Sequence, residues 1–289
     1  FLMKKTCLVT GANGHLGYNL VKELLRLGFN VRAGIRNSNK KVLFENTDAQ
    51  VTYTDLLDKK SLESALENVD ILFQCAAVFK HWAKNPQKEI IDVNLEMTQN
   101  VLRAASKKGV KKVVYVSSMA ALDEKNVPIS ENTWNTNFKN PYYEAKTKSE
   151  KLALDFAEQL KLDLVTVLPG AIIGGDFYHL TPSLKFFKTV IDGQLRFDVN
   201  LTFNFIDVKD VIKGMISASQ KGKNGERYLL CQENPVMTKE LVEIARKIDK
   251  NIPEPAFISK EQLLHYARST EAECLKTQTE PALKSFIVE

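Results

Sequence analysis

The feature that most constrains the fold is a glycine-containing run, residues 10–17, between an apolar stretch and an amphipathic one. Residues 4–9 predict a buried first strand, and the helical spacing of apolar residues from Tyr18 onward predicts a helix. A glycine turn between strand and helix lets a diphosphate approach bare backbone, and the helix N-terminus offers free N–H groups. The Gly-x-x-Gly-x-x-Gly spacing is one residue longer than the commonest dinucleotide-binding motif, and a purely structural turn is the alternative. The residues expected to face the cofactor here are Gly11, Asn13, Gly14, His15, Leu16 and Gly17.

Strand-like and helix-like segments alternate through the first 168 residues. After the first strand, strands are predicted at 29–35, 50–54, 69–75, 113–117 and 164–168, and helices at 59–67, 89–108 and 142–160. This alternation predicts an α/β fold, a doubly wound parallel (Rossmann) sheet. Beyond residue 170, helical segments at 181–192, 238–250 and 259–268 alternate with short extended pieces at 203–206 and 227–231. We predict a dinucleotide-binding domain over 1–168, to which 203–222 return, and a smaller, mostly helical substrate-binding lobe over 169–202 and 223–289.

Composition narrows the classes of partner. The 289 residues carry a net charge of +5, but the basic residues are scattered and no aromatic-plus-basic stripe suggests nucleic-acid binding. Apolar stretches are too short for a membrane span, and no signal peptide is visible. The four cysteines form no CxxC pair, which argues against a zinc site and a disulfide framework. We therefore expect a cytoplasmic protein that acts on small molecules, without metal, nucleic acid or membrane.

A tyrosine and a lysine form a second candidate site. Tyr142 and Lys146 are four residues apart on a predicted helix, so they share one face. A nearby ammonium group stabilises a phenolate and lowers the phenol pKa from its usual ~10. Ser117 and Ser118 end the fifth predicted strand, at the sheet edge where ligands bind in open parallel sheets. The alternatives are that Tyr142 and Lys146 form an ordinary surface pair and that the serine only forms a turn. A glycine turn, a strand-end serine and a Tyr-x-x-x-Lys motif occur here in that order along the chain, and this combination favours a catalytic site.

These motifs resemble those of the short-chain dehydrogenase/reductase superfamily, specifically its extended branch (the NAD-dependent epimerase/dehydratase family). Further matches run to about residue 230, including segments 94–102 and 205–211. Within the branch, residues 31–36 and 78–82 are most similar to the dihydroflavonol 4-reductase-like group. The resemblance implies cofactor contacts from Asp55 and Leu56 beside the adenine, from Cys75, Ala76 and Ala77, and from Pro169, Gly170 and Ile172 under the nicotinamide.

The end of the second strand bears on which dinucleotide binds. An acidic residue there would pair with the ribose hydroxyls of NAD and repel a 2′-phosphate, yet the first carboxylate after the strand is Glu45. Arg36 can stack on adenine and bind the phosphate, with Lys41 as a secondary donor. The sequence therefore predicts NADP(H), the alternative being that these bases merely solvate a loop.

The resemblance implies hydride transfer between nicotinamide and a carbonyl or alcohol carbon. Ser118 is expected to hold the carbonyl oxygen and Tyr142 to protonate it, with Ser117 as the alternative serine. Lys146 is expected to lower the Tyr142 pKa and to bind the nicotinamide ribose. Tyr142 and Lys146 are thus both expected to contact the cofactor. The expected substrate-side residues form an aromatic-rich lining that favours a ketone or aldehyde on a hydrophobic or ring-bearing molecule: Phe79, His81, Trp82, Ser117, Met119 and Tyr178.

Two other functions stay open. A nucleotide-sugar epimerase would keep NAD tightly bound, whereas a dehydratase is disfavoured because residues 119–122 lack acidic side chains. A non-catalytic dinucleotide sensor is disfavoured because the Tyr/Lys pair is retained. The oligomeric state is open, although the family often dimerises through helices such as those at 89–108 and 142–160. Relatives continue past the position matching Glu289, so the sequence leaves open whether the substrate lobe is complete in this chain.

Overall fold

A parallel seven-stranded sheet forms the centre of the computed structural model, which describes residues 4–285 except 126 and 282, and Ser38 by its backbone alone. Its strands are β1 (Thr6–Thr10), β2 (Asn30–Ile35), β3 (Gln50–Tyr53), β4 (Ile71–Gln74), β5 (Lys112–Val116), β6 (Leu164–Pro169) and β11 (Arg227–Leu230). The spatial order is β11-β6-β5-β4-β1-β2-β3, and every neighbouring pair is parallel. The predicted doubly wound α/β fold is confirmed. The order reverses between β1 and β4, which opens a crevice at their carboxyl ends.

Helices cover both faces of this sheet. The helices are α1 (His15–Arg26), α2 (Lys59–Ala65), α3 (Val93–Lys107), α4 (Pro141–Leu160), α5 (Pro182–Ile191), α6 (Val208–Lys221), α7 (Thr238–Ile248) and α8 (Lys260–Thr277). Successive side chains of β1 point to opposite faces. Cys7 and Val9 join the apolar core under α1 and α6, whereas Leu8 joins the core under α2, α3 and α4. Among the described helices none is long and apolar enough to cross a membrane.

Short strand pairs and the remaining helices form the smaller region. The short strands are β7 (Ala171–Ile173), β8 (Phe197–Asp198), β9 (Thr202–Phe203), β10 (Phe205–Asp207), β12 (Val236–Met237) and β13 (Ala256–Phe257). They pair as β7 with β10, β9 with β12, and β8 with β13. A third apolar cluster joins α5, α7 and β10 through Val190, Leu241 and Phe205.

The structure changes the sequence expectations at three places. The sequence analysis placed residues 227–230 in the substrate lobe, but they pair with β6 in the central sheet. This strand follows α6, which leads the chain back to the edge of the sheet. No helix was predicted at 208–221, yet α6 packs its apolar face against α1 and the sheet. The last helix, α8, continues nine residues past the predicted end at 268, to Thr277. The division into two domains otherwise stays a prediction.

Candidate active site

The glycine turn forms a tight passage between β1 and α1. Gly11 adopts φ +62°, and a Cβ there would lie 3.0 Å from the Cα of Ala76. A Cβ at Gly17 would lie 2.3 Å from the carbonyl oxygen of Gly11. The N-cap of α1 is Gly14, which gives no side-chain hydrogen bond to the first turn. Backbone N–H groups at the helix start are thus open to a ligand, and the turn fits the diphosphate of a dinucleotide.

Thr10 links this turn to the segment after β4. Its hydroxyl donates to Oε1 of Gln74 at 2.8 Å and accepts from the backbone N–H groups of Cys75 (3.1 Å) and Ala76 (3.2 Å). Ala76 is half-buried and Ala77 is exposed at this edge. The three residues predicted from the resemblance, Cys75, Ala76 and Ala77, therefore lie directly beside the glycine turn. The role of Thr10 was not predicted, because a threonine at a strand end ordinarily signals only a turn.

The loop after β7 is tied to the first turns of α1. Nε2 of His15 donates to the carbonyl of Gly174 at 2.7 Å, and burial lowers the pKa of this histidine. The side-chain amide of Asn19 accepts from the N–H of Asp176 at 2.9 Å and donates to its carbonyl at 2.6 Å. The loop therefore crosses the helix end where the diphosphate site lies. Leu16 and Asn13 are half-buried in the same turn.

Tyr178 lies in this loop and apart from the other expected substrate residues. Its described ring contacts are to Tyr18, at 6.0 Å between centroids, and His179, at 4.8 Å, and the ammonium of Lys40 lies 5.2 Å from its ring centre. None of these groups surrounds Tyr142. The expectation that Tyr178 lines the substrate site stays a prediction, and the loop that carries Tyr178 is attached to α1.

The end of β2 presents basic side chains to solvent. Arg36 directly follows the strand and is exposed, as is Lys41 in the 3-10 turn over Ser38–Phe44. Asp55 follows the neighbouring strand, β3, and is half-buried. Its carboxylate accepts from the N–H of Leu57 at 3.0 Å. Leu56 is 3% exposed and packs its side chain into the core, so only its backbone can face a ligand.

Residues 169–172 bring backbone close to the crevice. Gly170 donates its N–H to the carbonyl of Leu230 at 2.9 Å, and a Cβ there would lie 2.6 Å from the carbonyl oxygen of Asn204. Pro169 ends β6, and Ile172 packs half-buried against the core on the α1 side. A glycine is required at position 170 because the neighbouring backbone occupies the side-chain volume.

Tyr142 lies at the start of α4 among aromatic rings. Its ring centre is 4.7 Å from that of Phe79 and 4.9 Å from that of His81. Burial raises the Tyr142 pKa to about 12, and the Ser118 side chain acts to lower it. The expectation of a lowered Tyr142 pKa is corrected: the aromatic surroundings desolvate the phenol, and this burial is the largest cause of the shift.

Lys146 is directed at the end of β5. Its Nζ donates to the carbonyl of Val116 at 3.2 Å, one turn along α4 from Tyr142. Burial lowers the Lys146 pKa to about 8, while the charges of Glu150 and Cys75 act to raise it. The structure therefore brings Ser118, Tyr142 and Lys146 together at the carboxyl end of β5, as the sequence predicts.

Ser117 faces a different environment from Ser118. It is 2% exposed, and its hydroxyl donates to Oε2 of Glu150 at 2.7 Å. Ser118 instead begins a 3-10 turn, with its Oγ accepting from the N–H of Ala120 at 3.2 Å. Ser117 is thus a buried structural residue, and its expected role as a substrate contact is corrected. Adjacent residues on a strand point to opposite faces, which separates the two hydroxyls.

An asparagine that the sequence analysis missed organises the aromatic group. Oδ1 of Asn140 accepts from the N–H of Tyr142 at 3.0 Å, which caps α4. Its side-chain amide also contacts Nδ1 of His81, with the amide nitrogen at 3.1 Å and Oδ1 at 3.3 Å. Burial lowers the His81 pKa. The signal in the sequence was the Asn-Pro pair that starts the helix.

The other expected substrate residues border this group. Phe79 is 44% exposed and so presents ring surface to the crevice. Trp82 and Met119 are half-buried, and Met119 packs against the cluster of Ala121, Leu122 and Leu168. The segment after α8 also approaches, since the charges of Lys284 and Glu280 act on His81. Lys284 itself is 8% exposed and pairs with Glu280 at 2.8 Å.

Comparison with known proteins agrees with this geometry. Residues 7–231 match the NAD dependent epimerase/dehydratase family. The chain is 35% identical over 235 residues to sterol demethylase protein B of Methylococcus capsulatus, covering 79% of this chain and 70% of that protein. It is 32% identical over 237 residues to a putative dihydroflavonol 4-reductase of Synechocystis, covering 78% and 67%. The crystal structure of gox2253 superposes with a TM-score of 0.84 at 27% identity, covering 99% of this chain and 87% of that one.

Proposed function

Since the chain belongs to the NAD dependent epimerase/dehydratase family, within the extended short-chain dehydrogenases/reductases, we propose that it is an NADP(H)-dependent carbonyl reductase. Its substrate in this proposal is a ketone or aldehyde on a hydrophobic or ring-bearing small molecule. One observation carries the proposal: the ring of Tyr142 lies at the crevice between those of Phe79 and His81, and the Ser118 side chain acts to lower the pKa of its phenol. The family binds a nicotinamide dinucleotide, which supplies hydride when bound.

The chain's own residues handle the proton. Tyr142 donates its hydroxyl proton to the carbonyl oxygen of the substrate, and Ser118 donates a hydrogen bond to the same oxygen. Because its pKa lies near 12, the phenol carries its proton at neutral pH. Lys146, which is charged below about pH 8, stabilises the phenolate that remains after proton transfer.

The lining of the crevice supports an apolar, ring-bearing substrate. Phe79 and His81 offer ring faces next to Tyr142, and Trp82 and Met119 extend the apolar surface. Aromatic pairs gain about 0.5–1.5 kcal/mol beyond their buried area, which favours a planar substrate. The Synechocystis relative is itself a putative reductase of a ring-bearing ketone by its name.

Arg36 supports NADP(H) over NAD(H). It is exposed directly after β2, where a guanidinium can bind a 2′-phosphate with two parallel hydrogen bonds. Lys41 adds a second cation in the following turn. The residues that hold the rest of the dinucleotide in this proposal are Gly11, Asn13, Gly14, His15, Leu16, Gly17, Asp55, Leu56, Cys75, Ala76, Ala77, Pro169, Gly170 and Ile172.

A substrate panel tests the proposal. Purified protein is mixed with NADPH and a series of aryl ketones, aryl aldehydes and small aliphatic carbonyls, and loss of absorbance at the reduced-nicotinamide band is followed. We expect NADPH oxidation with the aryl compounds and little with the aliphatic ones. Protein that retains bound NAD through purification and interconverts nucleotide sugars, without net oxidation of NADPH, would show an epimerase instead.

A further inference from the structure

A buried carboxylate lies one turn along α4 from Lys146. Glu150 has no exposed surface, and both of its oxygens are occupied by donors. Oε2 accepts from Ser117 at 2.7 Å, and Oε1 accepts from Thr166 at 2.7 Å. Arg227 donates to both oxygens, from Nε at 2.8 Å and from Nη2 at 3.1 Å. Each of these contacts is a donor to the carboxylate, and one of the donors is a guanidinium.

Arg227 is itself fixed in place. Its Nη1 donates to the carbonyl of Thr133 at 2.7 Å and to that of Glu131. The guanidinium carbon lies 3.6 Å from the ring centre of Trp134, a stacked cation–π contact. The arginine side chain is 9% exposed. The ion pair is therefore rigid, and the position of the Glu150 carboxylate is set by β11 and by the segment before α4.

Three consecutive residues at the end of β5 are tied to α4. The carbonyl of Val116 accepts from Lys146, Ser117 donates to Glu150, and the Ser118 side chain acts to lower the pKa of Tyr142. The three partners on α4 are spaced by four residues, so they lie on one helix face. The strand end and the helix face are thus aligned residue by residue, with Glu150 as the deepest of the three attachments.

Glu150 also acts on its neighbours through charge. The carboxylate acts to raise the Lys146 pKa, against the burial that lowers it to about 8. The other titratable group that faces Lys146 is the Cys75 thiol, directly after β4, and burial raises its pKa to about 12, so it stays protonated. Glu150 also faces Tyr115 on β5 and acts to raise the Tyr115 pKa. Its ion-pair partner is Arg227 on β11. Removal of the carboxylate leaves the Lys146 ammonium with less support in a desolvated site.

We propose that Glu150, fixed by Arg227, is a positioning residue for Ser118, Tyr142 and Lys146, acting through its hydrogen bond to Ser117 and through its charge. The inference rests on the proposed function, since it concerns the same three residues. It assigns a role to the polar cluster beneath the crevice, which the chemistry of the reaction does not itself use.

Titration of Lys146 tests this inference without a substrate. Protein labelled with ¹³C at lysine Cε is titrated by NMR, and the Lys146 signal is identified by its absence in Lys146→Arg. In Glu150→Gln we expect the Lys146 midpoint to fall by about one pH unit relative to the native protein, since a nearby opposite charge shifts a pKa by about 1–3 units. An unchanged midpoint overturns the inference.

A matched control separates charge from structure. Thr166→Val removes one hydrogen bond to Glu150 but keeps the carboxylate, so we expect the Lys146 midpoint to stay at its native value. A shift in Thr166→Val as large as that in Glu150→Gln would show a structural cause and overturn the inference. Should Glu150→Gln fail to fold with Arg227 unpaired, the double variant Glu150→Gln with Arg227→Met removes both charges. We expect it to lower the midpoint too, and an unchanged midpoint overturns the inference.

Activity distinguishes this inference from the proposed function. If NADPH-linked turnover is present and its alkaline limb lies at the same pH in Glu150→Gln as in the native protein, the positioning role is wrong and the proposed function stands. If no turnover occurs with any carbonyl compound while the Lys146 midpoint still falls in Glu150→Gln, the proposed function is wrong and the electrostatic link stands.

Discussion

The side-chain amide of Asn140 is hydrogen-bonded to Nδ1 of His81, with 3.1 Å between the amide nitrogen and the ring nitrogen. The same amide caps α4 by accepting from the N–H of Tyr142. One side chain thus fixes both the start of the helix that carries Tyr142 and one of the two rings that pack on it. The local geometry of the candidate site depends on this residue.

Asn140→Ala should lower the free energy of unfolding by about 1–2 kcal/mol, since it removes the N-cap of α4 and leaves Nδ1 of His81 without its hydrogen-bond partner. Asn140→Asp is the matched variant, because aspartate caps helices as well as asparagine does. We expect it to recover most of the loss, as measured by urea unfolding. Equal destabilisation by both variants would contradict the capping role.

The glycine turn gives a prediction on cofactor binding. Gly11→Ala places a Cβ 3.0 Å from the Cα of Ala76 at a positive φ, so the turn must open and NADPH binding should be lost. Gly28→Ala is the control: it has φ +83° but nothing within 4 Å. It should cost about 1–2 kcal/mol of stability and leave NADPH affinity intact, as followed by fluorescence titration. Tight NADPH binding by Gly11→Ala would show that the turn does not contact the diphosphate.

Much of the sheet could be predicted because its strands are short apolar runs between helices with a regular apolar period. The seventh strand was assigned to the wrong region, since Arg227 and Tyr228 give it a mixed pattern typical of a short surface strand. Its arginine is buried by an ion pair with Glu150, a partner 77 residues away. A pairing at that separation leaves no periodic signal in a single sequence.

The grouping of the candidate catalytic residues could be predicted, but their electrostatics could not. The four-residue spacing of Tyr142 and Lys146 fixes a shared helix face, whichever way the side chains turn. The direction of the Tyr142 pKa shift depends on how closely Phe79 and His81 enclose the phenol, which only tertiary packing decides. The position of Tyr178 could not be predicted for a similar reason, because the hydrogen bonds of Asn19 determine where its loop lies.

Arg36 gives a prediction on cofactor preference. Arg36→Ala should raise the dissociation constant of NADPH at least about tenfold, since a hydrogen bond to a charged group contributes about 1.5–3 kcal/mol. NADH lacks the 2′-phosphate, so its dissociation constant should change little. Isothermal titration with both dinucleotides measures this. Equal weakening of the two would place Arg36 outside the phosphate site, and tighter binding of NADH by the native protein would overturn the NADP(H) assignment.

The pH dependence follows from two shifted groups. Lys146 has its pKa lowered to about 8, so its charge is present below that pH and is lost above it. Tyr142, with a pKa of about 12, stays protonated throughout the accessible range. Carbonyl reduction should therefore be steady near pH 7 and fall above about pH 8. Lys146→Arg keeps its charge to higher pH, so any activity it retains should lose this alkaline limb. A native rate that is flat to pH 10 would contradict the role given to Lys146.

The most direct measurement compares native protein with Tyr142→Phe in NADPH-dependent reduction of an aryl ketone or aldehyde, with NADPH binding measured on the same samples. The account predicts that kcat falls at least about 100-fold, the usual contribution of a general acid, while the dissociation constant of NADPH stays within about twofold. Turnover by Tyr142→Phe at the native rate would contradict the account, because the proton would then come from another group.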